Sequence, residues 1–154
     1  MNTLGRQYQA AGGGKISTDW AVPLPQLMTL LNDSKDRLDD VGLADVERAT
    51  YGHFGNGHPH QNFIAEDNKM RIRIEAIVHE SCRQAIAAGG TFSAEHGVGK
   101  IKRNLFYELT DSSIITATQL LKQACDPKRL LSPGNLIHSG QVEPGVHPPI
   151  RELV

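Results

Sequence analysis

The stretch Tyr51–Phe63, YGHFGNGHPHQNF, puts three of the chain's seven histidines into thirteen residues, together with three glycines and a proline. Its flanks, VERATYGHF and HPHQNFIA, read as two strands, and Asn56-Gly57 between them is the strongest short signal for a hairpin. A two-residue loop at Asn56 and Gly57 predicts that Gly55 pairs with His58, Phe54 with Pro59, and His53 with His60. Directly opposed residues have Cβ atoms about 4.5–5.5 Å apart and share a face, so this register sets two imidazoles side by side. Alternation adds Tyr51 and Asn62 to that face and sends Phe54, Gln61 and Phe63 to the other. Pro59 cannot donate to a ladder, so the second strand is expected to be irregular there or to lie at an edge.

Upstream, KISTDWAVP alternates as a strand that Pro23 stops, and Pro25 suits the first turn of a helix carrying Leu27, Leu30, Leu31, Ser34 and Leu38 at helical spacing. Downstream, Asp67 or Asn68 caps a long helix whose stripe is Met70, Ile74, Ile77, Val78, Cys82, Ala85 and Ile86, and Gly89-Gly90 ends it. TFSAEHGVGK is glycine-punctuated and reads as a loop. A shorter helix capped by Asp111 or Ser112 carries Ile115, Leu120, Leu121 and Ala124. The pattern predicts an α+β fold, an antiparallel sheet covered by helices. Residues 1–14 are expected as a flexible lead-in, 15–138 as the domain, and 139–154 as a proline-rich tail.

The chain has 154 residues, 39% hydrophobic and 21% charged, with a formal net charge of −1. That suits one domain with a real core and gives no excess charge to attract nucleic acid. The basic group KIKR at Lys100–Arg103 reads as a solvated face. No run approaches the roughly 20 apolar residues of a membrane span, and the first residues lack the apolar core of a secretory signal. Cys82 and Cys125 are the only cysteines, which fits a reduced, cytoplasmic protein better than a disulfide framework.

Two neighbouring neutral imidazoles are half of a metal site, and one carboxylate more makes three ligands with an open position. Glu95, in SAEHG, is the candidate carboxylate. Beside it sits His96, of a residue type that can act as a general base. His58 is open between a third imidazole ligand and a turn residue, with the turn favoured. A histidine pair on a hairpin also fits a purely structural or surface role.

Four segments, taken in order, resemble a known family. GHFGNGHPHQN is similar to the G-H-x-G-D-G-N-x-H-x-N stretch in the C-terminal (cap) domain of FAD-linked oxidases, the family of D-lactate dehydrogenase, the glycolate oxidase large subunit and D-2-hydroxyglutarate dehydrogenase. GGTFSAEHGVGKIKR resembles its G-G-x-x-S-x-E-H-G-x-G-x-x-K/R segment, CDPKRLLSPGNLI its closing D-P-x-x-x-L-N-P-G-K-x-x, and GKISTDWAVPLPQL its K-x-S-x-D-x-A-V-P strand and helix start. Together they cover about residues 15–137.

The resemblance implies a ferredoxin-like half of that cap and an FAD-dependent oxidation of a small D-2-hydroxy acid to the 2-oxo acid. It implies His53, His60 and Glu95 as ligands of a divalent metal, zinc by preference, and His96 as the base that takes the hydroxyl proton while hydride leaves for flavin. Asn62 and Lys15 match positions that hold the substrate carboxylate. Asn56 stands for the motif's aspartate, His58 for its asparagine, Ser132 for asparagine and Asn135 for lysine. At His58 the resemblance leaves two outcomes, an added ligand or a lost contact near the flavin. No Rossmann or P-loop fingerprint is present, so the flavin is expected on another domain or a separate subunit, and the isolated chain is expected not to turn over. A half-cap leaves a sheet edge that a homodimer would cover. The rival reading is a non-catalytic, metal-stabilised or structural dimerising remnant.

Overall fold

A computed structural model describes residues 4–138. Three strands, β1 (Gly12–Ser17), β2 (Arg48–His53) and β3 (His58–Asp67), form an antiparallel sheet in the order β1-β3-β2. The helices are α1 (Leu27–Asp40), α2 (Asn68–Ala87), α3 (Arg103–Leu109) and α4 (Ser112–Cys125). This is the α+β class read from the sequence. The chain divides into two compact units, residues 1–96 and 97–154.

The first unit builds its core on one face of the sheet. Phe63 and Ala65 of β3 are buried with Leu38 of α1 and Ile74, Ile77 and Val78 of α2. Trp20, Val22, Leu27, Leu30 and Ala85 make a second cluster. A large side chain buried this fully contributes about 1.5–3 kcal/mol. The periodic stripes expected on α1 and α2 are therefore the buried ones. Asp67 is the cap of α2, its Oδ1 accepting the Met70 amide at 2.7 Å.

Residues 4–14 correct the expected lead-in. Leu4–Ala11 is a 3-10 helix packed on β1 and β3, and Gly12 and Gly14 pair with Asp67 and Ala65. The run of glycines reads as flexible until a partner strand is known, and the pairing with β3 supplies that partner.

The hairpin forms where expected but in another register. His53 pairs with His58, Gly52 with Pro59, and Tyr51 with His60. Four residues, not two, connect the strands: Phe54–Asn56 make a 3-10 turn, and Gly57 closes it in the left-handed region at φ 67°. The Gly57 amide donates to Phe54 O, while its carbonyl accepts from the Val22 amide, both at 3.0 Å. That second bond, from outside the hairpin, fixes the turn. A shift of two residues keeps every side chain on its expected face. Pro59 sits in the central strand yet breaks no ladder. Odd-numbered residues of β3 point their amides towards β1, whose pairing stops at Ser17 opposite Asn62.

The second unit contains α3, absent from the sequence reading, and α4, capped by the Asp111 carboxylate on the Ser113 amide at 2.8 Å. Of the expected apolar face of α4 only Ile115 is buried; Leu120 and Leu121 are 61% and 66% exposed. Asp126 holds the loop after α4, accepting from Lys122 Nζ at 2.7 Å and from the amides of Leu130 and Leu131. The expected tail 139–154 lies outside the described residues.

Two stability predictions follow from these contacts. A Cβ on Gly57 would lie 1.9 Å from Val22 O, whereas one on Gly89, also left-handed at φ 78°, meets open space. Gly89→Ala should cost about 1–2 kcal/mol, and Gly57→Ala clearly more, in urea denaturation of the two variants side by side; equal costs would contradict the Val22 contact. The Lys122 ammonium, with the Leu130 and Leu131 amides, holds the Asp126 carboxyl below its ordinary 3.8. Its contribution to the second unit is present above that value and lost as pH falls through the depressed folded value. Acid titration of Asp126→Asn should therefore show a shallower loss of structure than the parent chain.

Candidate functional site

The face of the sheet opposite the helices carries the histidines. Even-numbered residues of β3, His58, His60 and Asn62, lie there beside Tyr51 and His53 of β2, as alternation predicts. His58, His60 and Asn62 are buried, at 6%, 8% and 1% exposure, while the His53 side chain is 57% exposed. The rings gather closely: His58 to His60 is 4.5 Å between centroids, His53 to His58 5.7 Å, and His53 to His60 5.9 Å. Directly opposed pairing of His53 with His60 is thus corrected to a diagonal one, and the two rings still meet. Gly52, at φ 124°, leaves room for this, since a Cβ there would lie 2.9 Å from His60 Cδ2.

The loop after α2 delivers Glu95 and His96. Glu95 Oε1 is 2.9 Å from His60 Nε2, and Oε2 is 3.5 Å from His53 Nε2. The sequence-selected trio His53, His60 and Glu95 is therefore brought together. His96 stacks on His60 at 5.1 Å with an interplanar angle of 16°. Its Nε2 lies 3.4 Å from Glu95 Oε1, and its ring is 60% exposed.

The residue that sequence reasoning missed is Asp19. Its side chain is 2% exposed. Oδ2 accepts from Ser93 Oγ at 3.1 Å and from the His96 amide at 3.2 Å. Oδ1 accepts from the Glu95 amide at 3.4 Å and faces His58 Nε2 at 3.2 Å and His96 Nδ1 at 3.5 Å. A carboxylate buried to this degree has little solvent to satisfy it, so these donors are what make its burial tolerable. The available signal was the acid itself, standing between residues whose pattern predicts a buried strand end.

Asn62 and Lys15 fare differently. Asn62 Oδ1 accepts from Ser17 Oγ at 2.6 Å, and Nδ2 donates to Tyr51 Oη at 2.9 Å. Its amide is thus fixed in orientation against the histidine cluster. Lys15 is exposed on β1, opposite Ile64 and two residues from Ser17 on the same face.

One donor atom each from Asp19, His58, His60 and Glu95 lies within 4.8 Å of the others. Imidazole nitrogens and carboxylate oxygens are the set that zinc and similar divalent ions take. His60 Nδ1 is buried and has no hydrogen-bond partner among the described residues. The residues present therefore fit a divalent ion.

The antiparallel sheet is thus helix-covered on one face and carries a histidine–carboxylate cluster on the other. Residues 2–136 match the family model of FAD linked oxidases, C-terminal domain, and the chain belongs to that family of FAD-linked oxidoreductases. It is 34% identical over 131 residues to the mitochondrial D-lactate dehydrogenase [cytochrome] of Kluyveromyces lactis, an overlap of 85% of this chain and 22% of that one. Similarity to glycolate oxidase subunit GlcD of Bacillus subtilis is 35% over 124 residues, 79% of this chain and 26% of that one. With the mitochondrial D-2-hydroxyglutarate dehydrogenase of Arabidopsis thaliana it is 32% over 123 residues, 79% and 21%. The chain spans about a fifth to a quarter of the length of these curated relatives. No helix among the described residues is long and apolar enough to cross a membrane.

If Asp19 is the anchor of the 93–96 loop, Asp19→Asn should cost about 3–5 kcal/mol, the range for breaking a buried charge arrangement. His96→Asn, which removes only an exposed ring, should cost less than about 0.5 kcal/mol. Denaturant midpoints of the two variants compare them directly, and similar values would remove Asp19 from that role.

Proposed function

We propose that this chain is the substrate- and metal-binding portion of an FAD-dependent dehydrogenase acting on a small D-2-hydroxy acid. The observation that carries the reading is the junction of His60, Glu95 and His96, in which two imidazoles flank one carboxylate at 2.9 Å and 3.4 Å. When bound, a flavin supplies the hydride acceptor and a divalent ion, zinc by preference, supplies a Lewis acid for the substrate's hydroxyl and carboxylate.

The chain's own residues do the rest. His53, His60 and Glu95 hold the ion. Asp19 Oδ1 faces His96 Nδ1 at 3.5 Å and helps to hold the ring, and Nε2, on the Glu95 side, is the nitrogen that would take the hydroxyl proton once Glu95 is engaged by the ion. The half-exposed position of that ring gives substrate access to it. Asn62, held between Ser17 and Tyr51, stands at the position that the family resemblance assigns to the substrate carboxylate, and Lys15 offers a positive charge from β1 on the same face. The flavin is carried by another domain or a separate subunit, and the free edges of β1 and β2 suit a homodimer. Neither cysteine stands in a disulfide among the described residues, which is in keeping with a reducing, cytoplasmic setting.

A specific feature favours a second reading, a non-catalytic metal-stabilised domain: the buried side of the cluster contains more donors than a catalytic ion with an open position needs.

Binding of D-lactate, glycolate and D-2-hydroxyglutarate to the zinc-loaded chain, followed by calorimetry, tests the proposal. At least one should bind, D-enantiomers over L; His96→Ala should leave that binding within about threefold, and Glu95→Gln should abolish it. Without a flavin-bearing partner no dye reduction is expected. A folded, zinc-loaded chain that binds none of the three acids would leave the metal-stabilised reading in its place.

A further inference from the structure

His58 is the residue on this face that the family pattern does not explain, since that pattern has an asparagine in its place. The imidazole is 6% exposed, in the central strand, and its nearest ring neighbour is His60, edge-on at 67°. Burying an imidazole there is unfavourable unless its polar atoms are engaged. Nε2 finds Asp19 Oδ1 at 3.2 Å. Next to this contact lies a second one of the same kind, His60 Nε2 to Glu95 Oε1 at 2.9 Å. Two imidazole–carboxylate pairs thus stand side by side.

A divalent ion takes neutral imidazole and carboxylate donors of this kind. The four donor atoms already lie within 4.8 Å of one another. In a tetrahedral zinc site with bonds of about 2.0–2.1 Å, donors are about 3.4 Å apart, so closure needs side-chain adjustment without a change of strand register. Asp19 Oδ1 meets the Glu95 amide and His96 Nδ1 only at 3.4 Å and 3.5 Å, while the shorter contacts to the Ser93 hydroxyl and the His96 amide fall on Oδ2 and would hold the carboxylate when Oδ1 turns to an ion. The backbone beneath is fixed as well: Val22 grips Gly57 immediately before His58.

We propose that His58 and Asp19 form the buried half of the ion's coordination, adding two protein donors to His60 and Glu95, with His53 on the exposed side. The inference rests on the metal-binding part of the reading above and extends it; with four protein donors the ion would meet substrate only by expanding to a fifth position. It gives this chain an ion held from inside the fold, so that affinity depends on a residue absent from the family pattern and depends less on exposed His53.

The test is titration of the metal-free full chain with cobalt(II), read by its d–d absorption, with zinc(II) competing. The parent chain should give the intense visible bands of a low-coordinate nitrogen–oxygen site. His58→Asn, which installs the family's residue, should weaken cobalt binding by at least about tenfold and reduce those bands. His53→Ala should weaken it by less. Far-UV circular dichroism and melting in chelator compare the folds, and His58→Gln serves in the same way if the asparagine variant does not fold. Unchanged affinity and spectrum in a folded His58 variant, with binding lost in His53→Ala, would overturn the proposal while leaving His53, His60 and Glu95 as the ligands. No cobalt binding by the folded parent chain would overturn both.

Discussion

One buried carboxylate ties this site together. Asp19 leaves the end of β1 where the strand stops pairing, and within one side chain's reach it engages His58 of β3 and the 93–96 loop. The loop is otherwise bends and turns, with little regular structure to place Glu95 and His96. Without an internal acceptor, the amides of residues 95 and 96 would have to be satisfied elsewhere, and the two functional side chains would move with them. The arrangement puts the energetic burden on a residue that touches the chemistry only through others. Site and fold stability are therefore coupled through the same oxygen atoms.

The sheet contributes rigidity and a division of labour. Helices α1 and α2 cover one face, so β3 can bury Phe63 and Ala65 there while presenting His58, His60 and Asn62 on the other. Sites built on strands hold geometry better than sites on loops, and here His53, His58 and His60 come from strands while Glu95 and His96 come from the loop. The proposed function would set that combination, with an ion, beside a hydride acceptor. The chain spans about a fifth to a quarter of the length of the relatives it matches.

Much of this was legible in the sequence, for physical reasons that differ from residue to residue. The face shared by Tyr51, His53, His60 and Asn62 follows from a period of two and survives a two-residue error in register. The register itself was not legible, because the turn length is set by Val22, some thirty-five residues upstream of Gly57. Helices α1 and α2 announced themselves through long apolar stripes and the Asp67 cap. Helix α3 did not, since seven residues with Leu105 and Phe106 adjacent carry no periodicity. His58 was read as a turn residue because the turn was taken to be two residues long. Asp19 escaped notice because its partners at 93–96 are more than seventy positions away.

The central claim is that the histidine–carboxylate face is a metal centre anchored from within. Crystals of the zinc-loaded chain, measured at the zinc absorption edge, test it most directly. The account predicts a single strong anomalous peak among His58, His60, Glu95 and Asp19, about 2.0–2.2 Å from their donor atoms. A folded chain whose anomalous density lies only at scattered surface positions, with the Asp19–His58 and Glu95–His60 contacts intact, would contradict it.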